Sequence, residues 1–114
     1  MKDKRTVQAW CKRGLFALGM LATLTGADSL AGSSSTVDIK GFKFAPPALT
    51  VPLGTTVTWV NHDEETHTVT SMTGAFGSAG LSNKDMFSQT FVKPGTYEYQ
   101  CRLHPYMKAT VIVQ

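Results

Sequence analysis

Cys101, Arg102, Leu103, His104, Pro105, Tyr106 and Met107 put a thiol, an imidazole and a thioether on one seven-residue segment. A second imidazole, His67, lies upstream in the run Thr66, His67, Thr68, Val69. Two imidazoles and a thiolate in a trigonal plane, with a long axial methionine, make a copper centre suited to single-electron transfer. Thiolate and thioether suit Cu(I), and imidazole suits both oxidation states. Each residue alone has an ordinary reading: a buried Cys is usually a small hydrophobe and a Met a gap filler. Their joint occurrence at this spacing points to metal. Zinc is the rival ion, but divalent affinity generally runs higher for copper, and methionine is an unusual zinc ligand. His62, five residues before His67 in a polar stretch, has no ligand spacing and reads as a solvated loop residue.

The elements that must position these ligands are strands, because residues two apart share a face of a strand. Tyr97, Tyr99 and Cys101 share one face of residues 95–101, which aims the thiol inward beside two aromatics. Met107, Ala109, Val111 and Val113 share one face of the last strand, and His67 and Val69 share a face of a strand over residues 66–71. Pro105 stiffens the short loop that carries His104. Short β-rich segments broken by turn residues about every ten positions read as an all-β sandwich or barrel. Val37 and Ile39 take one parity and Phe42 and Phe44 the other, so Gly41 between them suggests a bulge. Pro46 and Pro47 end that strand. Leu49 and Val51 begin another, and Val57 and Trp59 lead a strand over residues 55–61. Phe87, Gln89 and Phe91 give one more. Lys93, Pro94, Gly95 and Thr96 carry type II turn chemistry. Residues 72–84 are rich in Gly and Ser and show no clear pattern. There is no helical period and no internal repeat.

The 114 residues carry a formal charge of +3, and its distribution decides what it means. Lys2, Lys4, Arg5, Lys12 and Arg13 face only Asp3 and Asp28 in residues 1–31. In residues 32–114, Lys40, Lys43, Lys84, Lys93, Arg102 and Lys108 balance Asp38, Asp63, Glu64, Glu65, Asp85 and Glu98. All the excess charge therefore sits at the N-terminus, and the remaining domain gives no reason for nucleic-acid binding. A positive start, a short apolar run over residues 14–24 and the small residues Ala27, Ser29 and Ala31 fit a cleavable export signal over residues 1–31. Cleavage would follow Ala31 or Ala27, with an uncleaved anchor as the alternative, although the apolar run is too short for an ordinary membrane span. Residues 32–35 (Gly, Ser, Ser, Ser) read as a flexible joint, followed by one domain over 36–114. Cys11 falls in the leader, so Cys101 is the only thiol of an exported domain. Metal ligation gives that lone thiol a role and protects it from oxidation.

At this point the chain resembles the cupredoxins, the small blue copper proteins, and within them those with the shortest ligand loop. The resemblance spans roughly residues 36–114. It rests on Phe44-Ala45-Pro46, Val57-Thr58-Trp59-Val60-Asn61, Thr66-His67-Thr68-Val69, Pro94-Gly95-Thr96-Tyr97-Glu98-Tyr99 and the Cys101 to Met107 loop. It implies a Greek-key β-sandwich holding one type 1 copper on His67, Cys101, His104 and Met107. The exposed edge of His104 is then the electron exit. Many relatives have Asn after the first ligand His and Ser or Thr after the Cys, which tie the two ligand loops together. Thr68 and Arg102 stand there in this chain, which leaves that tie an open question.

The reading is a monomeric periplasmic one-electron carrier rather than an enzyme, since no acid/base pair accompanies the ligands. A copper-binding carrier or sequestering protein is the alternative. Redox partners would dock transiently on the apolar rim of His104, Pro105 and Tyr106, with no nucleic acid and no membrane span in the mature form. Asp63, Glu64 and Glu65 read as a solvated acidic loop or a steering patch for a basic partner.

Overall fold

The computed structural model describes residues 32–114, and the leader expected over residues 1–31 lies outside them. The elements are β1 (Ser34–Ile39), β2 (Phe44–Ala45), β3 (Ala48–Val51), β4 (Thr56–Asn61), β5 (Thr70–Ser71), β6 (Met86–Thr90), β7 (Gly95–Gln100) and β8 (Lys108–Val113). One sheet has the order β2-β1-β4-β6 and the other β3-β8-β7-β5. Both are mixed: β1 runs parallel to β4 and β3 parallel to β8, whereas the other pairs are antiparallel. No helix occurs among the described residues, so the all-β expectation holds.

Period-two patterning builds the core. In β4, Val57, Trp59 and Asn61 point inward while Thr56, Thr58 and Val60 stay half-exposed. In β8, Ala109, Val111 and Val113 are buried on the expected face. Val37 and Ile39 of β1 and Val51 of β3 complete the aliphatic part. Burial of each such side chain contributes about 1.5–3 kcal/mol. Trp59 is fully buried and meets Tyr99 edge-on at 5.4 Å and Phe76 in a stack at 5.9 Å. The β-strand interiors thus hold a rigid aromatic layer from which β7 leads directly into Cys101.

Four expectations change. The joint over residues 32–35 is not all linker, because Ser34 and Ser35 belong to β1 opposite Thr56 and Val57. The edge of β4 needs backbone partners, and ladder pairing outweighs the weak strand preference of serine. Gly41 marks a tight hairpin rather than a bulge. Lys40 and Lys43 exchange two backbone hydrogen bonds at 3.0 and 3.2 Å around Gly41 and Phe42. With φ of 64° and 59°, both central residues are left-handed, as in a type I′ turn. Such turns favour Gly, Asn or Asp, and a left-handed Phe costs about 1–2 kcal/mol. The third change is at Lys93, whose carbonyl accepts from the Tyr97 hydroxyl at 2.7 Å. Gly95 has φ 153°, too extended for the second centre of a type II turn. Finally, the strand expected over residues 66–71 shrinks to β5, with His67 outside it in an isolated bridge to Leu81.

Candidate metal centre

His67 and Cys101 are completely buried, Met107 is nearly so, and His104 is half-buried. The Nδ1 atoms of His67 and His104 stand 3.2 Å apart. Cys101 Sγ lies 3.8 Å from His67 Nδ1 and 3.6 Å from His104 Nδ1. Metal–nitrogen bonds of about 2.0 Å and a metal–sulfur bond of about 2.3 Å would place donors of a trigonal plane about 3.5 Å apart for N to N and 3.7 Å for N to S. The observed triangle fits a metal ion at its centre. Met107 closes the same loop: its N–H donates to the His104 carbonyl at 2.9 Å, and its own carbonyl accepts from Cys101 N–H at 3.1 Å. Three of the four residues singled out in the sequence therefore share one donor cluster, and the fourth ends the loop that carries two of them. His62 stays outside, exposed and paired with Asp38 at 2.9 Å.

The irregular backbone around His67 has a chemical cause. A regular strand would spend the Thr68 N–H on a neighbouring carbonyl, but here it donates to Cys101 Sγ at 3.3 Å. The Thr68 side chain also turns inward, and its Oγ1 accepts the Arg102 N–H at 2.8 Å. Thr68 thus ties the two ligand segments together from both its backbone and its hydroxyl. The open question of Thr68 and Arg102 is answered by Arg102 contributing only its backbone N–H. On the other side, Leu81 brackets His67 with two backbone bonds of 3.1 and 2.7 Å.

Asp63 is the functional residue the sequence reading missed. Its carboxylate does not face solvent with Glu64 and Glu65; the side chain is 13% exposed and turned toward the site. Oδ2 accepts the His67 Nε2–H at 2.9 Å and the Phe42 N–H at 2.9 Å, and Oδ1 accepts the Gly41 N–H at 2.7 Å. Two successive left-handed residues make an anion-binding concavity of backbone N–H groups, and Asp63 fills it. Burial raises the Asp63 carboxyl pKa, yet donation from Phe42, Gly41 and His67 together outweighs it and holds the group below its ordinary value. A carboxylate on the outer nitrogen leaves the His67 Nδ1 lone pair free for the metal and fixes the ring plane. Asn61 sets the loop that delivers Asp63. Its Nδ2 donates to the carbonyls of Glu65 and Leu81 at 2.9 and 2.8 Å, and its Oδ1 accepts the Asp63 N–H at 2.9 Å. The available signal was parity: Asn61 shares the inward face of Val57 and Trp59, where a polar residue needs partners.

The sequence profile of the Cupredoxin-like domain matches residues 14–113. The chain belongs to the cupredoxin family. Its relatives include amicyanin of Paracoccus denitrificans, 38% identical over 93 residues that cover 77% of this chain and 71% of the relative. Amicyanin-alpha of Methylorubrum extorquens is 34% identical over 71% of this chain and 72% of its own length. Among solved structures, the Cu(I) form of a mutant of amicyanin superposes with a TM-score of 0.69 at 33% identity, covering 77% of this chain and 89% of the other. A purple cupredoxin from Nitrosopumilus maritimus gives 0.65 at 31% identity, covering 70% and 99%. Within the cupredoxins this chain is most similar to the amicyanins.

Proposed function

We propose that this cupredoxin is a one-electron carrier that holds one copper on His67, Cys101, His104 and Met107. The observation that carries the reading is the donor triangle, in which two imidazole nitrogens and a thiol sulfur stand 3.2 to 3.8 Å apart. When bound, copper supplies the Cu(I)/Cu(II) couple. The protein's own part is to keep the donors fixed. The Thr68 N–H donates to the sulfur at 3.3 Å and fixes where it points. Asp63 holds His67 in the tautomer that leaves Nδ1 as a donor to the metal. His104, the half-buried member of the set, offers the path by which an electron reaches the surface.

Docking of redox partners at His104, Pro105 and Tyr106 finds support in the exposure of that rim, where Leu103 is 54% and Tyr106 70% exposed. A groove of about 470 Å³ lies beside it, lined by Phe42, Ala45, Pro47 and Tyr106 among others. Transient electron-transfer encounters use small apolar contacts of this kind. The mature chain is read as a periplasmic monomer; no helix among the described residues is long and apolar enough to cross a membrane. The test is an optical spectrum with voltammetry of the copper-loaded protein. An intense visible thiolate band with reversible one-electron cycling is expected. A colourless protein that passes Cu(I) to a chelator would overturn the electron-carrier reading and favour the copper-carrier alternative.

A further inference from the structure

We propose that Phe42 is a positioning residue that sets the ring plane of His104 at the metal centre, with Asp63 holding Phe42 in place. The inference rests on the copper-site reading and extends it to a residue outside the ligand set. Three observations on separate parts of the chain converge. First, Phe42 occupies a left-handed position, φ 59°, that a phenylalanine rarely adopts without compensation. Second, that conformation is gripped from 21 residues away, since Asp63 accepts both the Gly41 and the Phe42 N–H while also accepting from His67. Third, the ring so placed meets both ligand imidazoles edge-on, at 4.9 Å and 85° to His67 and at 5.0 Å and 79° to His104.

The two histidines need different support. His67 has Asp63 on its outer nitrogen and Leu81 on its backbone, so both its ring and its main chain are held. For His104, no hydrogen bond to Nε2 occurs among the described residues; its bonding contacts are Nδ1 to the other two donors. A ligating imidazole normally has a partner on the far nitrogen to fix its orientation. His104 has ring packing instead: Phe42 at 5.0 Å, His67 at 5.0 Å and Tyr106 at 6.2 Å. Tyr106 is largely exposed and His67 is itself a donor to the metal. Phe42, half-buried and pinned by Asp63, gives the His104 ring a restrained wall to rest against. The left-handed turn places the ring within reach of both imidazoles.

The experiment compares wild type with Phe42→Gly, which removes the ring while relieving the left-handed backbone, and with Phe42→Tyr, which keeps the ring edge. The first readout needs no copper: NMR of the imidazole ring protons in the metal-free and zinc-loaded protein. In Phe42→Gly the His104 resonances are expected to shift and broaden as the ring samples several planes, while those of His67 keep their line width; Phe42→Tyr restores the wild-type pattern. The second readout is the copper form, whose reduction potential is expected to fall in Phe42→Gly as water reaches the site and favours Cu(II), and to recover in Phe42→Tyr. Sharp, single His104 resonances in Phe42→Gly would overturn the proposal, as would equal broadening of both histidines or failure of Phe42→Tyr to restore them. Whether the wild type shows a thiolate band bears on the copper reading alone, so the two failures are distinguishable.

Discussion

Replacing Thr68 by Val tests the tie between the ligand segments with little change of shape. Thr68 is 7% exposed, and its Oγ1 accepts the Arg102 N–H at 2.8 Å and pairs with Thr70 Oγ1 at 2.9 Å. The valine methyl fills the hydroxyl's space but accepts nothing, so the Arg102 N–H loses its partner. A stranded donor costs about 1–3 kcal/mol, and the extra apolar group returns up to about 0.8 kcal/mol of that. A net loss of about 1–2 kcal/mol is expected. For a domain of this size each kcal/mol lowers Tm by about 4–8 °C. The backbone N–H of residue 68 still donates to Cys101 Sγ, so the visible band of the copper form should be nearly unchanged. The assay is urea and thermal unfolding of the metal-free and copper-loaded forms, with Thr68→Ser as a variant that keeps the hydroxyl. An unchanged Tm in metal-free Thr68→Val would refute the claim that this hydroxyl bridges the two segments. Recovery in Thr68→Ser would support it.

Cys101→Ser should abolish the intense visible band, because a serine oxygen cannot supply the copper–thiolate bond; a surviving band in the loaded mutant would remove Cys101 from the ligand set. Met107→Gln should keep copper bound and lower the reduction potential, since the axial ligand tunes that potential and an amide oxygen favours Cu(II); voltammetry showing no change or a rise would leave Met107 a core residue only. Phe76→Ala should cost about 3–5 kcal/mol in denaturant unfolding, because Phe76 stacks on Trp59 at 5.9 Å and meets Phe91 edge-on at 5.4 Å; a loss under about 1 kcal/mol would show that this segment is a loop lying over the core rather than part of it.

What could be read from the sequence was what is local. Cys101, His104 and Met107 lie within seven residues, and strand parity fixed the inward side of β7 and β8. The parts that escaped depend on partners far along the chain. Asp63 reads as one of three acids in a polar loop, but the hairpin at Gly41 and Phe42, with Asn61 and His67, turns it inward. Phe76 and Leu81 sit in a Gly/Ser-rich stretch without period, yet both are buried, because isolated bridges at Thr70 and His67 lay that stretch against the sheet. Thr68 read as a departure from the family's tie because the expected partner was a side chain, whereas a backbone N–H of Arg102 serves.

These long-range contacts bear on which function the domain suits. An electron carrier gains when its donors stay put between oxidation states, since rearrangement of the ligands adds to the barrier. A delivery protein gains from donors that come and go. Here the thiol sulfur accepts from Thr68 N–H, His67 is held by Asp63 and Leu81, and Met107 is bonded to His104 through the backbone. Together these contacts restrain the Cys101 sulfur, the His67 ring and the backbone of the loop that carries His104 and Met107. A site assembled by the fold itself is costly to open and gives up its ion slowly. The same restraint favours the electron-carrier reading over the copper-carrier alternative.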